Sequence, residues 1–444
     1  MKISTLSKIL NGELIGKDSD FNAVSIDSRA IKKDDCFFAI KGDVFDGHDF
    51  IADVAAKEIA VAVVDCDIPT SIPLIKVSDT RKALIDLARY YRQNAAVPVV
   101  GIAGSCGKTT TRAMVESILK QAGNVLASQK SFNNDIGLPL TLLKLKSTDQ
   151  FIVLEIGTNH PGEIAALTAI AQPTVSVVTM VAGVHIEGFG SVEKIAEEKA
   201  QIYAGLSQDG IAIINADDVF ADYFKKIIGT RHVITFGIKN KADVFAKNIK
   251  VNKEGKIDFT LHIHNETTSI ALPLLGEHNV VNALAAAAIA HALNVSVENI
   301  KTGLETVAPE YGRLNIKTGV HGATIIDDSY NANPTSVKAA IDVLTHQSAN
   351  SILVLGDMKE LGEGAENLHG EIGEYALKHG VKKLFCYGKM SAHAADAFGK
   401  NAFHFDDQQK LIDALKPALS KDITVLIKGS NSMKMVNIAN ALLM

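Results

Sequence analysis

One run constrains this 444-residue chain above all others: GIAGSCGKTTTRAM, beginning at Gly101. A short apolar strand over Val97 to Ala103 leads into a glycine turn, and a lysine with a row of hydroxyls then opens a helix. Gly104 and Gly107 let the backbone around Ser105 and Cys106 turn its N–H groups inward, which makes a cradle for an anion. Lys108 can meet the β- and γ-phosphates of a triphosphate, and Thr109 or Thr110 can offer a hydroxyl to Mg²⁺. The full eight-position pattern would have glycine where Ile102 stands, so the turn is the shorter form GxxGK[ST]T. A purely structural glycine turn is the alternative. In either case strand, turn and helix commit this segment to a parallel α/β layer.

The length implies roughly three domains at about 150 residues each. Residues 1–80 mix short strands (FFAIKG, VAVVD, PLIKV) with a helix near Phe50–Glu58, and predict a small α/β domain. The helix TRKALIDLARYYRQ bridges into a central domain, 81–309. There VVGIAG, FIVLEIG, VSVVTMV, IAIINA and HVITFG are near-continuous apolar runs separated by helices, the signature of parallel strands buried on both faces. Residues 242–276 alternate with period two and read as an antiparallel insert, and helices from His278 to about Val307 close the block. From 310 to 444 the alternation resumes (ATIIDD, ILVLGD, KLFCYG, TVLIKG), predicting a second, smaller doubly wound sheet of Rossmann-like type.

Composition narrows the function classes. A formal net charge of −5 argues against a nucleic-acid surface, so an anionic substrate must be held by local donors. The N-terminal MKISTLSKILNGELIG lacks an uninterrupted apolar core and does not read as a signal peptide. The Ala-rich NALAAAAIAHAL, broken by His291, predicts a buried core helix and no membrane span. Cys36, Cys66, Cys106 and Cys386 lie far apart without a CxxC pair, which predicts a reducing, cytoplasmic setting.

Glu155 ends the strand FIVLE, 47 positions after Lys108. An acid at the carboxyl end of a strand near the phosphate turn can reach Mg²⁺; a surface acid is the plainer reading. His185 follows the next strand, in VAGVHIEGFG, as a metal ligand or as a hydrogen-bonding loop histidine. On the helix Ser191–Leu206, residues Val192, Ile195, Ala196, Ile202, Tyr203 and Leu206 share one face with Lys199. Burial would depress the lysine pKa. A neutral amine can add CO₂ to become a carbamate, an oxygen donor for Mg²⁺; a lysine whose stem packs while its head reaches water is the alternative. Asn279 and Asn282, in EHNVVNAL, can read an adenine edge or cap a helix. Arg313 in YGRLN, with Asp327 and Asp328 in IIDDSYNANPTS, can clamp phosphate and hold a ribose hydroxyl, or form a salt bridge across the domain junction.

Taken together these residues resemble the Mur ligases over nearly the whole chain. SIDSRAIKKDDCFFAIKGDVFDGHDF resembles that family's UDP-sugar-binding segment, which implicates Ser28, Arg29, Lys41, Asp46, Gly47 and His48. FNNDIGLPLTLL resembles its substrate-side loop and points to Asn133 and Asn134. GSCGKTTT resembles the ATP loop and EHNVVNALAA the adenine-contacting helix. YGRLN and DDSYNANPTS resemble the junction that closes over ATP, adding Asn331 and Asn333 to the substrate side. The resemblance implies that Thr109, Glu155, His185 and a carbamylated Lys199 (in KxxIY) hold Mg²⁺, with two ions in all. LGDMKELGEGAENLH, from Leu355, resembles the branch that adds D-alanyl-D-alanine, and the DNPR signature of the diaminopimelate branch is absent. One departure stands out: the family's near-terminal KGSR, with an acid five residues on, is KGSNSMKMVNI here, with Asn431 and Val436 at those places.

What the resemblance implies is a monomeric, ATP-dependent amide ligase of peptidoglycan synthesis, working through an acyl phosphate. Lys108, Glu155, His185 and Lys199 would be its catalytic residues, UDP-N-acetylmuramoyl-tripeptide its acyl donor and D-alanyl-D-alanine its amine. Two other readings stay open. A Mur-type or folylpolyglutamate-type ligase would use another amine, and a nucleotide-dependent switch would keep the fold without ligating.

Overall fold

Side-chain parity decides how the central strands are buried. In the computed structural model, which describes residues 1–129, 132–252 and 254–444, Val100 and Ile102 of the strand Val99–Ala103 enter one core, and Val99 and Ala103 enter another. Alternate residues of a strand face opposite ways, so a strand covered on both sides must be apolar throughout. The helix Lys108–Leu119 and the Ala-rich helix His278–Ala292 cover the first face. The helices Glu163–Ala171 and Val192–Ala204 cover the second.

The central sheet has nine strands. Val99–Ala103 lies between Phe151–Glu155 and Val175–Val178, and Val125–Ala127 forms the edge beyond Phe151–Glu155. On the other side Ile211–Asn215, His232–Gly237 and Val244–Val251 follow in parallel register. The chain thus leaves Val99–Ala103 toward one side and later returns to the other. Such a reversal opens a crevice at the carboxyl ends of the strands, where α/β proteins bind ligands. The period-two segment is antiparallel as expected, but it is no insert. Val244 pairs with Phe236 in parallel, and Lys256–Ile263 and Glu266–Leu275 extend the same sheet.

Five short strands form the N-terminal sheet, with Val61–Val64 at its centre. The helix Thr80–Gln93 packs Leu84 and Leu87 into that block and Ala88 into the central one. The third sheet has six strands, with Thr424–Lys428 between Thr324–Asp328 and Ser351–Gly356. It too reverses direction there, because Thr324–Asp328 and Ser351–Gly356 flank a strand that comes later in the chain. The edge strands Asn315–Thr318 and Ala402–Phe405 are added to those expected. Among the described residues no helix is long and apolar enough to cross a membrane.

The phosphate-turn helix is held from behind by the helix Val297–Glu305. Gly303 sits so close that a Cβ there would lie 2.3 Å from Ile118 Cα, and Ser117 Oγ donates to Gly303 O at 2.7 Å. Backbone cannot yield as a side-chain tip can. Gly303→Ala is therefore expected to cost about 1–3 kcal/mol by overpacking. Urea unfolding measures it, and a loss under about 0.5 kcal/mol, the range of ordinary surface changes, would show that the two helices separate freely.

Candidate active site

The carboxyl edges of the central and third sheets border one cleft of about 2060 Å³. From the central sheet come the phosphate turn, Glu155 and His185; from the third come Asp328, Lys428 and Ser430.

The turn is built as its glycines require. Gly104 has φ +146°, and a Cβ there would meet Thr179 Oγ1 at 1.9 Å; Gly107 has φ +84°, with Asn282 Oδ1 2.3 Å from its Cβ position. Thr179 is drawn in because its Oγ1 donates to Cys106 O at 2.5 Å. Lys108 folds back so that its Nζ donates to Gly104 O at 2.7 Å. Burial holds its pKa below the ordinary lysine value, although Glu155 pulls the other way. Glu155 is buried, and both of its oxygens are engaged: Thr109 Oγ1 donates to one and Asn133 Nδ2 to the other, each at 3.0 Å.

Lys199 is 4% exposed, so its ammonium does not escape to bulk water along its stem. Among the described residues it has no hydrogen-bond or ion-pair partner. Burial, aided by the Lys108 charge, pushes its pKa down to about 7. Two neighbours anchor its helix. The Glu198 carboxylate accepts from Gly162 N at 2.7 Å and Ile164 N at 2.8 Å, capping the adjacent helix. Tyr203 donates from its hydroxyl to Ile213 O at 2.7 Å and accepts from Val178 N at 2.9 Å, pinning the helix to two strands. His185 has φ +60° at the start of a short helix. Burial lowers its pKa, with Lys108 and Lys199 adding to that, while Glu360 of the third block pairs with its Nδ1 and opposes them.

Asn279 and Asn282 form a chain at the far wall. Asn282 Nδ2 donates to Asn279 Oδ1 at 2.8 Å, and Asn279 Nδ2 donates to Leu275 O at 2.7 Å. Arg313 lies 4.4 Å over the Tyr330 ring and lines the cleft. The two neighbouring aspartates divide by parity. Asp327 is spent on structure, bonded to Lys317 at 2.7 Å and to the Ser329 hydroxyl at 2.6 Å. Asp328 faces the cleft, where Lys428 Nζ reaches it at 2.5 Å.

Not every expected residue converges. Ser28, Arg29, Lys41, Asp46, Gly47 and His48 do not border the cleft, whereas Asp43 and Arg81 do. The Arg29 side chain is 88% exposed and bound to Asp27 at 2.9 Å. Asn134 does border the cleft, its Oδ1 accepting from Gly137 N at 2.8 Å. Asn333 caps the helix Pro334–Gln347 and donates from Nδ2 to Cys106 Sγ at 3.2 Å, tying the third block to the phosphate turn. Asn431 does border the cleft, donating from Nδ2 to Tyr330 O at 3.1 Å and from its N–H to Asn331 Oδ1 at 3.4 Å. Lys428, Glu198 and Glu360 escape sequence reasoning. A lysine inside TVLIKG was the available signal for the first, since a strand buried on both faces should carry no charge without a partner.

Three family models match the chain in order: Mur ligase family, catalytic domain, over 20–92; Mur ligase middle domain over 102–290; and Mur ligase, glutamate ligase domain, over 312–431. The chain belongs to the Mur ligase family. This Mur ligase is 39% identical, over 443 residues, to the UDP-N-acetylmuramoyl-tripeptide–D-alanyl-D-alanine ligase of Escherichia coli (strain K12), covering 99% of this chain and 98% of that one. It superimposes on MurF from Acinetobacter baumannii with a TM-score of 0.91 at 34% identity, over 98% of this chain and 97% of the other. MurF ligase from Thermotoga maritima in complex with ADP gives a TM-score of 0.83 at 26% identity, over 95% and 96%.

Lys428 and Asp328 are 1% and 6% exposed, so each is the other's chief compensation for lost water. Lys428→Met should leave a buried carboxylate unpaired and cost about 3–5 kcal/mol. Adding Asp328→Asn should recover a large part of that loss in urea unfolding. If the double variant is as unstable as the single, the pair is not what holds this strand end.

Proposed function

We infer that this Mur ligase joins D-alanyl-D-alanine to UDP-N-acetylmuramoyl-tripeptide at the expense of ATP, giving a pentapeptide precursor of peptidoglycan. The carrying observation is the single cleft between two sheet edges, one bearing the phosphate turn and the other Asp328 and Arg313. A reaction that brings a nucleotide, an acid and an amine together needs donors from more than one block. The three blocks correspond to residues 1–80 for the UDP-substrate, 81–309 for ATP and 310–444 for the amine. With its cysteines unpaired, the enzyme is read as a cytoplasmic monomer.

A carboxylate is a poor acyl donor, so it must first be activated. One of its oxygens attacks the γ-phosphorus, ADP leaves, and an acyl phosphate forms. The amine nitrogen then attacks the carbonyl carbon and loses a proton. Orthophosphate departs with the former carboxylate oxygen. Lys108 and the N–H groups of the turn hold the transferring phosphoryl group and oppose its charge. Asn279 and Asn282 face the base, and Arg313 and Asp328 close over the nucleotide to exclude water.

The donors at the turn suit Mg²⁺: the Thr109 hydroxyl and Glu155 carboxylate already touch, and His185 lies close enough for Lys108 and Lys199 to depress its pKa. Thr109 and Glu155 would hold one ion, His185 and Lys199 a second. Bound Mg²⁺ supplies the charge neutralisation that lets two anions approach. For Lys199 to serve, its neutral amine adds to the carbon of CO₂ and releases a proton, turning a cation into an anionic oxygen donor. Its amine, near neutral and without a partner, supports this reading.

Lys199→Ala should lose most turnover, and short-chain carboxylic acids should restore part of it. Wild-type turnover by this variant at limiting Mg²⁺ would remove the carbamate from the mechanism. Because the amine must be neutral to add CO₂, a ¹³C carbamate signal from labelled bicarbonate should fade as pH drops below about 7. A signal that persists well below that pH would assign it to another group. The overall reading is tested by isotope tracing: ¹⁸O in the donor carboxyl should appear in released orthophosphate, and its absence would exclude an acyl phosphate. A panel of amines read by phosphate release should single out D-alanyl-D-alanine.

A further inference from the structure

The N-terminal block carries a cluster that lies outside the cleft. His48, Asp65 and Cys66 each offer one donor atom, and these atoms lie within 4.8 Å of one another. They come from two places in the chain. His48 sits in the short turn Gly47–Phe50, and Asp65 and Cys66 follow the central strand Val61–Val64. His48 Nδ1 lies 2.6 Å from Asp46 Oδ1, which also accepts from the His48 N–H at 3.0 Å. That contact assigns the ring proton to Nδ1 and leaves the Nε2 lone pair as a donor. Nε2 lies 3.2 Å from Asp65 Oδ1 and accepts from the Asp65 N–H at 3.3 Å, a hydrogen bond that an entering cation would replace.

The same residue thus sets its carboxylate beside Nε2, where both could bind one cation. Nitrogen and oxygen ligands at about 2.0–2.2 Å from tetrahedral Zn²⁺ stand roughly 3.3–3.5 Å apart, so the observed separation is near that of one edge of such a site. Local charge points the same way. Asp46, Asp65 and Asp67 gather here against one lysine, Lys76, which bonds Asp67 at 2.5 Å and also faces Cys66. The His48 side chain is 10% exposed, which fixes its ring, while Cys66 is at the surface and open to an entering ion.

We propose that His48 Nε2, the Asp65 carboxylate and Cys66 Sγ form a site for a zinc-class divalent cation, with Asp46 orienting the histidine and a fourth position open to water. A nitrogen, an oxygen and a sulfur donor together suit a borderline-soft ion and not Mg²⁺ or Ca²⁺, which take oxygen ligands. On binding, the Cys66 S–H proton goes to solvent as the sulfur–metal bond forms. The Asp46–His48 pair is the carboxylate–histidine arrangement that orients metal-bound imidazoles. The cation would staple the turn at His48 to the end of the sheet's central strand. The site lies outside the cleft, and its test does not use catalysis.

The full-length protein, stripped with a chelator, is titrated with Co²⁺ and then Zn²⁺. One equivalent of Co²⁺ should give tetrahedral d–d bands with a sulfur-to-cobalt charge-transfer band, and Zn²⁺ should abolish both. Cys66→Ser should remove the charge-transfer band and weaken Zn²⁺ binding at least about tenfold, with the melting temperature of the metal-free protein unchanged. Asp46→Asn should keep the band and weaken Zn²⁺ binding about 10–100-fold. Cys106→Ser should change neither. The proposal is overturned if the wild-type chain shows no stoichiometric sulfur band, if the band survives Cys66→Ser, or if it vanishes with Cys106→Ser.

Discussion

Two lysine amines are kept out of water within each other's field at the carboxyl edge of the central sheet. Burial lowers the readiness of each to carry charge, and the Lys108 charge lowers that of Lys199 further. A site of this kind is poorly solvated when empty of anions and well matched to them when filled. The rest of the molecule holds that condition in place. Tyr203 and Glu198 immobilise the helix of Lys199, and the glycines of the turn bring backbone N–H groups beside Lys108. Two buried acids, Glu155 near Lys108 and Glu198 near Lys199, oppose the field but are outweighed by burial.

The third block completes the cleft through a few contacts of different kinds. Glu360 pairs with His185, and Glu310 with the buried Arg112 behind the phosphate turn. Asn333 meets Cys106 at the turn itself, which gives that cysteine a partner the sequence did not suggest. Such polar contacts at a junction form and break more readily than an apolar core. They suit an enzyme that must admit three substrates and then shut water out. The departure at Asn431 belongs to this junction, where a neutral amide now bridges the Tyr330–Asn331 loop.

Much of this was legible from residue order. The strand–turn–helix at Gly104–Lys108, the place of Lys199 on an apolar helix face and the acid at the end of FIVLE follow from periodicity and spacing, which are local. Less legible were Lys428, whose meaning depends on Asp328 a hundred residues away, and Asp327, which looked equivalent to Asp328 until strand parity separated them. The segment 242–276 shows the same limit. Its alternation predicted antiparallel pairing, but which edge it joins depends on a parallel contact at Phe236 that no local pattern encodes.

By itself, then, the sequence determined the layered α/β architecture, the phosphate turn and a lysine facing apolar neighbours. Those outcomes rest on backbone sterics and on the period of hydrophobic burial, which act between residues a few positions apart. Only the tertiary structure decided which charges meet across the cleft and which are spent inside a block. It also decided that His48 meets both Asp46 and Asp65 and lies outside the cleft. Electrostatic partnership depends on distance and desolvation in space, and neither is set until the sheets have packed.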